Sequence, residues 1–498
     1  MSKYNITISR VLGDAALNAQ RQGWIRAFLP PSTRRRLGAA AAGLIKRSRG
    51  EPIDDWSRPL IASSRRATPT TAALPTEVVH PRSTGIHATE AALPPEAPRC
   101  LLATSALDNG GMDRVVAFLA LRLRSHGLRT AVLHTHAGVE QGVKGRLGCM
   151  LSTAGIEVAV AQEADARQWI REWGPDVISS HDTPDWVLDE ARAIAVPYVA
   201  VLHGMHSLFG CDWSAEAERS RDMTAIAAVS EINRQQYLRA VPTFPSERIV
   251  TIPNGIVTIT NGVDDRPLAR HDRLSARAAL GLQEEFLFVC LARHCSQKNQ
   301  FGLLSAFDEV AARHPDAHLL LAGGVEEPVY FTQLRREQDR LVAGDRVHLR
   351  DHATDTPLVL AAADGFVLNS FFEGWALASM EALYAGVPVV SSDVGGAREQ
   401  LGSDPSRGYL VGNPLGDALE VNWTTIAPAC YRRRQTNREE LIDAMCALVR
   451  EREHRAARRE ELAAESAARF DPDHCVRAHA DLLHSCITGR IGRCKQAA

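Results

Sequence analysis

From Arg99 onward the chain alternates between short apolar runs and helix-length segments, and it does so twice. The first series runs RCLLATS, RTAVLHT, IEVAVA, DVISSH, YVAVLHG and TAIAAVS, and reaches IVTIPNG at Ile249. The second begins at Glu285 with FLFVCLAR and continues through AHLLLAGG, RVHLRD, GFVLNS and VPVVSSD. Apolar runs without polar alternation suit strands buried on both faces, the habit of parallel sheets covered by crossover helices. DRVVAFLALRLRSHG, QFGLLSAFDEVAARHP, FTQLRREQDRLVAG, PLVLAAA and ALASMEALYAG have the helical period such crossovers need. The expectation is an α/β chain of two Rossmann-like domains facing each other across a cleft. A length of 498 residues fits more than one core.

The boundaries follow composition. Residues 1–98 hold 10 of the 25 prolines, and residues 1–100 carry 15 Lys and Arg against 7 Asp and Glu. They read as a basic, Pro- and Ala-rich extension and linker, disordered or loosely ordered. QRQGWIRAFLPPSTRRRLGAAAAGLIKRSRG within it is either an amphipathic segment lying on anionic lipid or a solvated basic tail. Residues 99–255 form the first domain and 256–470 the second, with the connection in the polar stretch IVTITNGVDDRPLARHD. REELIDAMCALVREREHRAARREELAAESAARF reads as one charged helical stretch. A last helix within 471–490 packs back on the first domain.

A net charge of -2 does not suit a nucleic-acid binder. The 10 cysteines include no CxxC pair, so neither a zinc ribbon nor a dithiol redox site is indicated. No apolar run reaches the roughly 20 residues that span a bilayer. The expected compartment is cytoplasmic, with peripheral contact at the inner membrane face through the basic N-terminus as the alternative.

In open α/β sheets, ligands bind beyond the carboxyl ends of the strands. Asn109-Gly110-Gly111, His181, His203-Gly204, Arg293 to Lys298 and Glu373 all follow expected strands. Two facing sheets would collect them in one site. Arg293 and Lys298, in a turn before a helix, can seat a polyphosphate; both are also ordinary solvated loop charges. Gly110 and Gly111 permit close backbone approach, but lack the GxGxxG spacing of a dinucleotide site. Glu373 and Glu381 bracket FEGWALASMEALYAG. If the helix began at Glu373, eight residues at about 1.5 Å each would set the carboxylates ~12 Å apart, the span from the sugar to the ribose of a nucleotide sugar. The plainer reading makes Glu373 a helix-dipole partner and Glu381 half of a buried ion pair.

LARHCSQKNQFGLLSAFDEVAARHPDAHLLLAGG and FVLNSFFEGWALASMEALYAGVPVVSSDVGGARE, with VSEINRQQY before IVTIPNGI, resemble the retaining glycosyltransferases of family 4. The likeness spans about residues 99–485. It implies a GT-B fold and transfer of a sugar from a nucleoside-diphosphate sugar to a glycan or lipid-linked acceptor, in surface polysaccharide synthesis. It implies catalytic roles for Glu373, Lys298, Arg293 and His203. The donor would be held by Gly110, Gly111, Arg293, Lys298, Gly374, Ala376, Leu377 and Glu381, with Glu381 on the ribose and the base near Leu349 to Asp351. Neither a metal nor a resident cofactor is implied. Ala376 stands where the family commonly has glycine, and LEVNWTTIAPACYRRRQTN lies outside the common pattern. A non-catalytic nucleotide-sugar-binding scaffold, or an epimerase of the same fold, is the alternative.

Overall fold

The computed structural model describes residues 93–105, 107, 110–135, 144–205, 209, 211–255 and 271–490, together with Ile53, Trp56 and 58–61. The basic segment upstream of Ile53, Asn109 and the polar connection from Ile256 to Arg270 lie outside the described residues.

Seven parallel strands form the first sheet: β1 (Arg99–Thr104), β2 (Arg129–His134), β3 (Glu157–Val160), β4 (Val177–His181), β5 (Tyr198–Leu202), β6 (Ala225–Ala228) and β7 (Ile249–Thr251). Their order is β3-β2-β1-β4-β5-β6-β7. Cys100, Leu102 and Val132 enter one packed layer, while Leu101, Ala103 and Ala131 enter the layer on the opposite face. A strand covered on both faces must be apolar at every position, which is why these runs stood out.

The second sheet holds β8 (Phe286–Leu291), β9 (Ala317–Ala322), β10 (Val347–Arg350), β11 (Gly365–Leu368), β12 (Val389–Ser392) and β13 (Gly408–Val411), ordered β10-β9-β8-β11-β12-β13. The chain is thus α/β with two parallel sheets, as expected. Each sheet reverses direction of growth beside its first strand, between β1 and β4 and between β8 and β11. Those are the switch points at which such sheets open a crevice.

Two elements differ from the expectation. Strand β13 is an edge strand with only Val411 buried, so its GYLV carries too little apolar signal. The single helical stretch is three helices, Arg438–Arg450, Arg452–Ala457 and Arg459–Arg469. Arg452 reaches Asp364 and the carbonyls of Glu284 and Glu285, and Arg459 the carbonyls of Leu360 and Ala363. These long-range bonds bend the path around the second domain, with no proline or glycine to mark the breaks.

Three helices matter below: α1 (Gly111–Arg122), α2 (Leu377–Tyr384) and α3 (Pro472–Ile487). Helix α3 crosses back and buries Cys475, Val476, Ala480, Leu483 and Cys486 in a core layer of the first domain. A short piece of the N-terminal extension also packs: Leu60 is buried in the core of the second domain, with Ile53, Trp56 and Ile61 against it.

Candidate active site

The two sheets face each other across a cleft of about 1880 Å³. Gly110, Gly111, His203, Arg293, Lys298, Glu373, Gly374, Ala376, Leu377 and Glu381 all line it. His181, which also follows a strand, is fully buried behind it.

The floor on the second-domain side is made of two stitched loops. The loop after β8 ends in a single turn, Ser296–Lys298, with Asn299 left-handed at φ 51. Asn299 Nδ2 donates to the Asn369 carbonyl at 2.9 Å, Gln297 Nε2 to the Phe372 carbonyl at 3.1 Å, and the Phe371 amide to the Gln297 carbonyl at 3.0 Å. The loop after β11 is thereby fixed against the first. Lys298 Nζ lies 2.6 Å from Glu373 Oε1, and Ser370 Oγ donates to the same oxygen at 2.6 Å. Glu373 is 8% exposed, so its charge is balanced by a lysine itself largely buried. Nearby, burial pushes the Cys290 and Cys295 thiols up to about 12, so neither is a thiolate nucleophile.

Arg293 behaves differently. It sits on the rim, more than half exposed, and pairs with Glu326 at 2.7 Å. Such a pair is weak and exchangeable, leaving the guanidinium free to take another anion.

Glu373 is not on the helix. Helix α2 starts at Leu377, with Ala376 extended at its N-cap and no side chain capping its first amides. The spacing between the two carboxylates therefore runs partly along loop and partly along helix. Glu381, in the middle of α2, lies 3.2 Å from Arg114 Nη1 in the first turns of α1. Burial raises its carboxyl above the usual range, and Arg114 pulls it partway back.

The first domain meets this floor at backbone level. A Cβ on Gly374 would overlap the His203 carbonyl oxygen, and a Cβ on Gly111 would lie 3.5 Å from Leu377 Cδ1. His203 Nε2 is 2.7 Å from His181 Nδ1, and His181 Nε2 is 3.1 Å from Ser179 Oγ. Burial drives the His181 pKa well down, so the inner ring is neutral and orients the outer one. Gly110 precedes α1, and its amide donates to Asp113 Oδ2 at 3.0 Å.

Sequence reasoning did not single out Arg114, Ser370 or Trp423. Ser370 had the same signal as Glu373, two residues past the end of β11. Arg114 lies one helical turn beyond Gly110 and carried only that positional hint. Trp423, from the unfamiliar stretch after β13, lines the cleft and meets Phe372 and Phe209 edge-on, with ring centroids 5.3 and 5.9 Å away.

Two family profiles match: Glycosyltransferase Family 4 over residues 109–259, and Glycosyl transferases group 1 over residues 272–422. Among similar proteins, a glycogen synthase of Mycobacterium tuberculosis is 29% identical over 242 residues, covering 46% of this chain and 55% of that protein. A GDP-mannose-dependent alpha-(1-6)-phosphatidylinositol monomannoside mannosyltransferase of Mycolicibacterium smegmatis is 30% identical over 239 residues, covering 46% and 60%. The chain thus spans little more than half the length of these relatives. Anabaena Alr3699/HepE, solved with UDP and glucose, superposes with a TM-score of 0.62 at 20% identity, covering 78% of this chain and 100% of that one. WaaG, a glycosyltransferase involved in lipopolysaccharide biosynthesis, superposes at 0.53 with 14% identity, covering 77% and 99%. Both share the fold.

Proposed function

We infer, from a chain that belongs to the group 1 and family 4 glycosyltransferases and has the GT-B fold, that it moves a sugar from a nucleoside-diphosphate sugar to a hydroxyl acceptor with retention of configuration. The observation that carries this reading is the buried Lys298–Glu373 pair beside the uncapped start of α2, on the floor of a cleft that α1 faces.

The chemistry follows from charge. Breaking the bond between the anomeric carbon and the phosphate oxygen leaves its electron pair on a nucleoside diphosphate. Lys298, Arg293 and the α2 amides stabilise that growing negative charge. The acceptor hydroxyl attacks from the face the phosphate leaves, and its proton passes to a leaving phosphate oxygen. Glu373 contacts the transferred sugar near the reacting carbon, and Glu381 takes the ribose hydroxyls. His203, held by His181, donates to the sugar, and Gly110 and Gly111 close on the phosphates. Ala376 and Leu377 contribute backbone at the helix start. No protein nucleophile is required.

The acceptor we propose is a glycan or lipid-linked sugar of a surface polysaccharide, reached from the cytoplasmic side. The basic composition of residues 1–98 supports contact with an anionic membrane face. Among the described residues, no helix is long and apolar enough to cross a membrane.

A panel of nucleoside diphosphates and nucleotide sugars tests the first half by thermal shift. A ligand at 100 times its dissociation constant stabilises by about 2.7 kcal/mol. The preferred donor is then incubated with candidate acceptors, and the anomeric configuration of the product is read by NMR. No shift with any nucleotide would overturn the reading, and an inverted product would overturn retention.

A further inference from the structure

Ile53, Trp56, Leu60 and Ile61 lie outside both alternating series, yet they pack into the second domain. Leu60 is buried, and its amide donates to the Leu280 carbonyl at 2.9 Å. The groove it enters exists because residue 281 is glycine. Gly281 is left-handed at φ 76, and a Cβ there would lie 2.8 Å from both Pro59 Cβ and the Ile61 carbonyl oxygen. Trp56, half-buried against the core, donates its indole Nε1 to the Asp351 carbonyl at 3.1 Å.

Asp351 opens the loop that follows β10, and His352, Ala353 and Thr354 of that loop line the cleft, with Thr356 at the start of the next helix. The far end of the loop is held as well. Asp355 caps the next helix through the Leu358 amide at 3.0 Å and pairs with His271 at 3.1 Å. The Arg350 carbonyl, just before it, accepts from the Gly323 amide and faces a His294 ring nitrogen, both at 3.1 Å. Three cleft-lining residues in a row are thus suspended between fixed ends. One of those ends is fixed from outside the domain by a tryptophan of the extension.

We propose that Ile53, Trp56 and residues 58–61 act as a strap whose Trp56 positions the loop 351–355 against the donor's base, and so sets which nucleoside the enzyme prefers. This rests on the donor reading above. Trp56 is a positioning residue: it acts on the ligand through the Asp351 carbonyl. Without the Trp56 bond the nearest tie lies one residue back, at Arg350, so the loop gains freedom at Asp351 and adapts to several bases at an entropic cost, whereas the loop tied at Asp351 presents one arrangement of donors and acceptors. Replacing an extension residue should therefore change discrimination between bases, and not merely affinity.

The test uses the full chain, with Trp56→Phe and Trp56→Ala beside wild type. Dissociation constants are measured for UDP, GDP, ADP and dTDP, and kcat and KM for the preferred donor. Trp56→Phe keeps most of the packing and loses the indole hydrogen bond. The expected result is about threefold or greater weakening of the preferred nucleotide, the scale of one hydrogen bond. The less favoured bases should change little, so that the preference narrows, with kcat unchanged and donor KM raised. Equal weakening for every base would assign Trp56 a general structural role and overturn the proposal, as would unchanged affinities. If wild type binds none of the four nucleotides, the donor reading fails first; if wild type binds and the variants match it, the strap alone fails.

Discussion

Arg114 on α1 and Glu381 on α2 join the two domains across the cleft, 3.2 Å apart, at the place proposed for the donor's ribose. A ribose that hydrogen-bonds Glu381 must share or replace this guanidinium. The pair thus belongs to the ligand-free enzyme, and the charge of Glu381 is the part a donor inherits.

Glu381 supplies a pH signature. Its carboxyl is raised by burial, so ionising it costs more in the folded chain than in the unfolded one. Stability from this group therefore falls as pH climbs through and above the ordinary glutamate range, and Arg114 limits the fall. In Arg114→Met the fall should be steeper, leaving the variant about 1–2 kcal/mol less stable near neutrality and close to wild type in mild acid. In Glu381→Gln the dependence should vanish. Melting temperatures between about pH 5 and 8 give the comparison; parallel curves for all three chains would refute it.

Lys298 balances Glu373 now and the leaving diphosphate in the proposed reaction. Lys298→Ala should lower turnover by ~10²-fold or more, the scale of losing one charge-stabilising donor. Circular dichroism and melting establish that the variant is folded. Near-normal turnover in a folded variant would remove Lys298 from the machinery.

Gly374 meets the His203 carbonyl with no room for a Cβ. Gly374→Ala should leave each domain folded but hold them apart at the reacting end. Small-angle scattering should show a larger radius of gyration, with kcat/KM reduced by ~10²-fold, the cost of misplacing reacting groups by about an ångström. An unchanged radius and rate would show that this contact is not needed in the working form.

Trp423 projects from the unfamiliar stretch toward Phe372, next to Glu373. The acceptor must approach that end. Trp423→Ala should raise acceptor KM roughly three- to tenfold, the worth of an aromatic contact, while nucleoside-diphosphate affinity stays the same. A raised donor dissociation constant with unchanged acceptor KM would reverse the assignment.

The sequence displayed most of this architecture because doubly buried parallel strands leave uninterrupted apolar runs. Strand β13 escaped because an edge strand with one buried residue leaves none. His203 was visible as a polar residue directly after such a run, and Glu373 and Lys298 as charges in the loops that follow two others. Their pairings were not. Lys298 meets Glu373 across 75 positions and Arg114 meets Glu381 across 267, and no local pattern encodes a contact made by folding two loops together. The strap was hidden for a related reason. A single leucine and a tryptophan in a Pro-rich segment carry no period, and their partners, the Leu280 and Asp351 carbonyls, lie more than 200 positions away.

The return of α3 to the first domain has a mechanical consequence. The chain leaves that domain after Gly255 and re-enters it at Pro472, and a Cβ on Gly255 would run into the Pro472 backbone. The last described residue before the connection and the first residue of α3 thus lie side by side. A body attached at nearly one point behaves like one on a short tether: it can turn about that point, but it cannot slide away from it. Separation of the two domains by translation is thereby blocked at that point, and Lys298 and Glu373 stay at a fixed reach from it, on the far side of the cleft from α1.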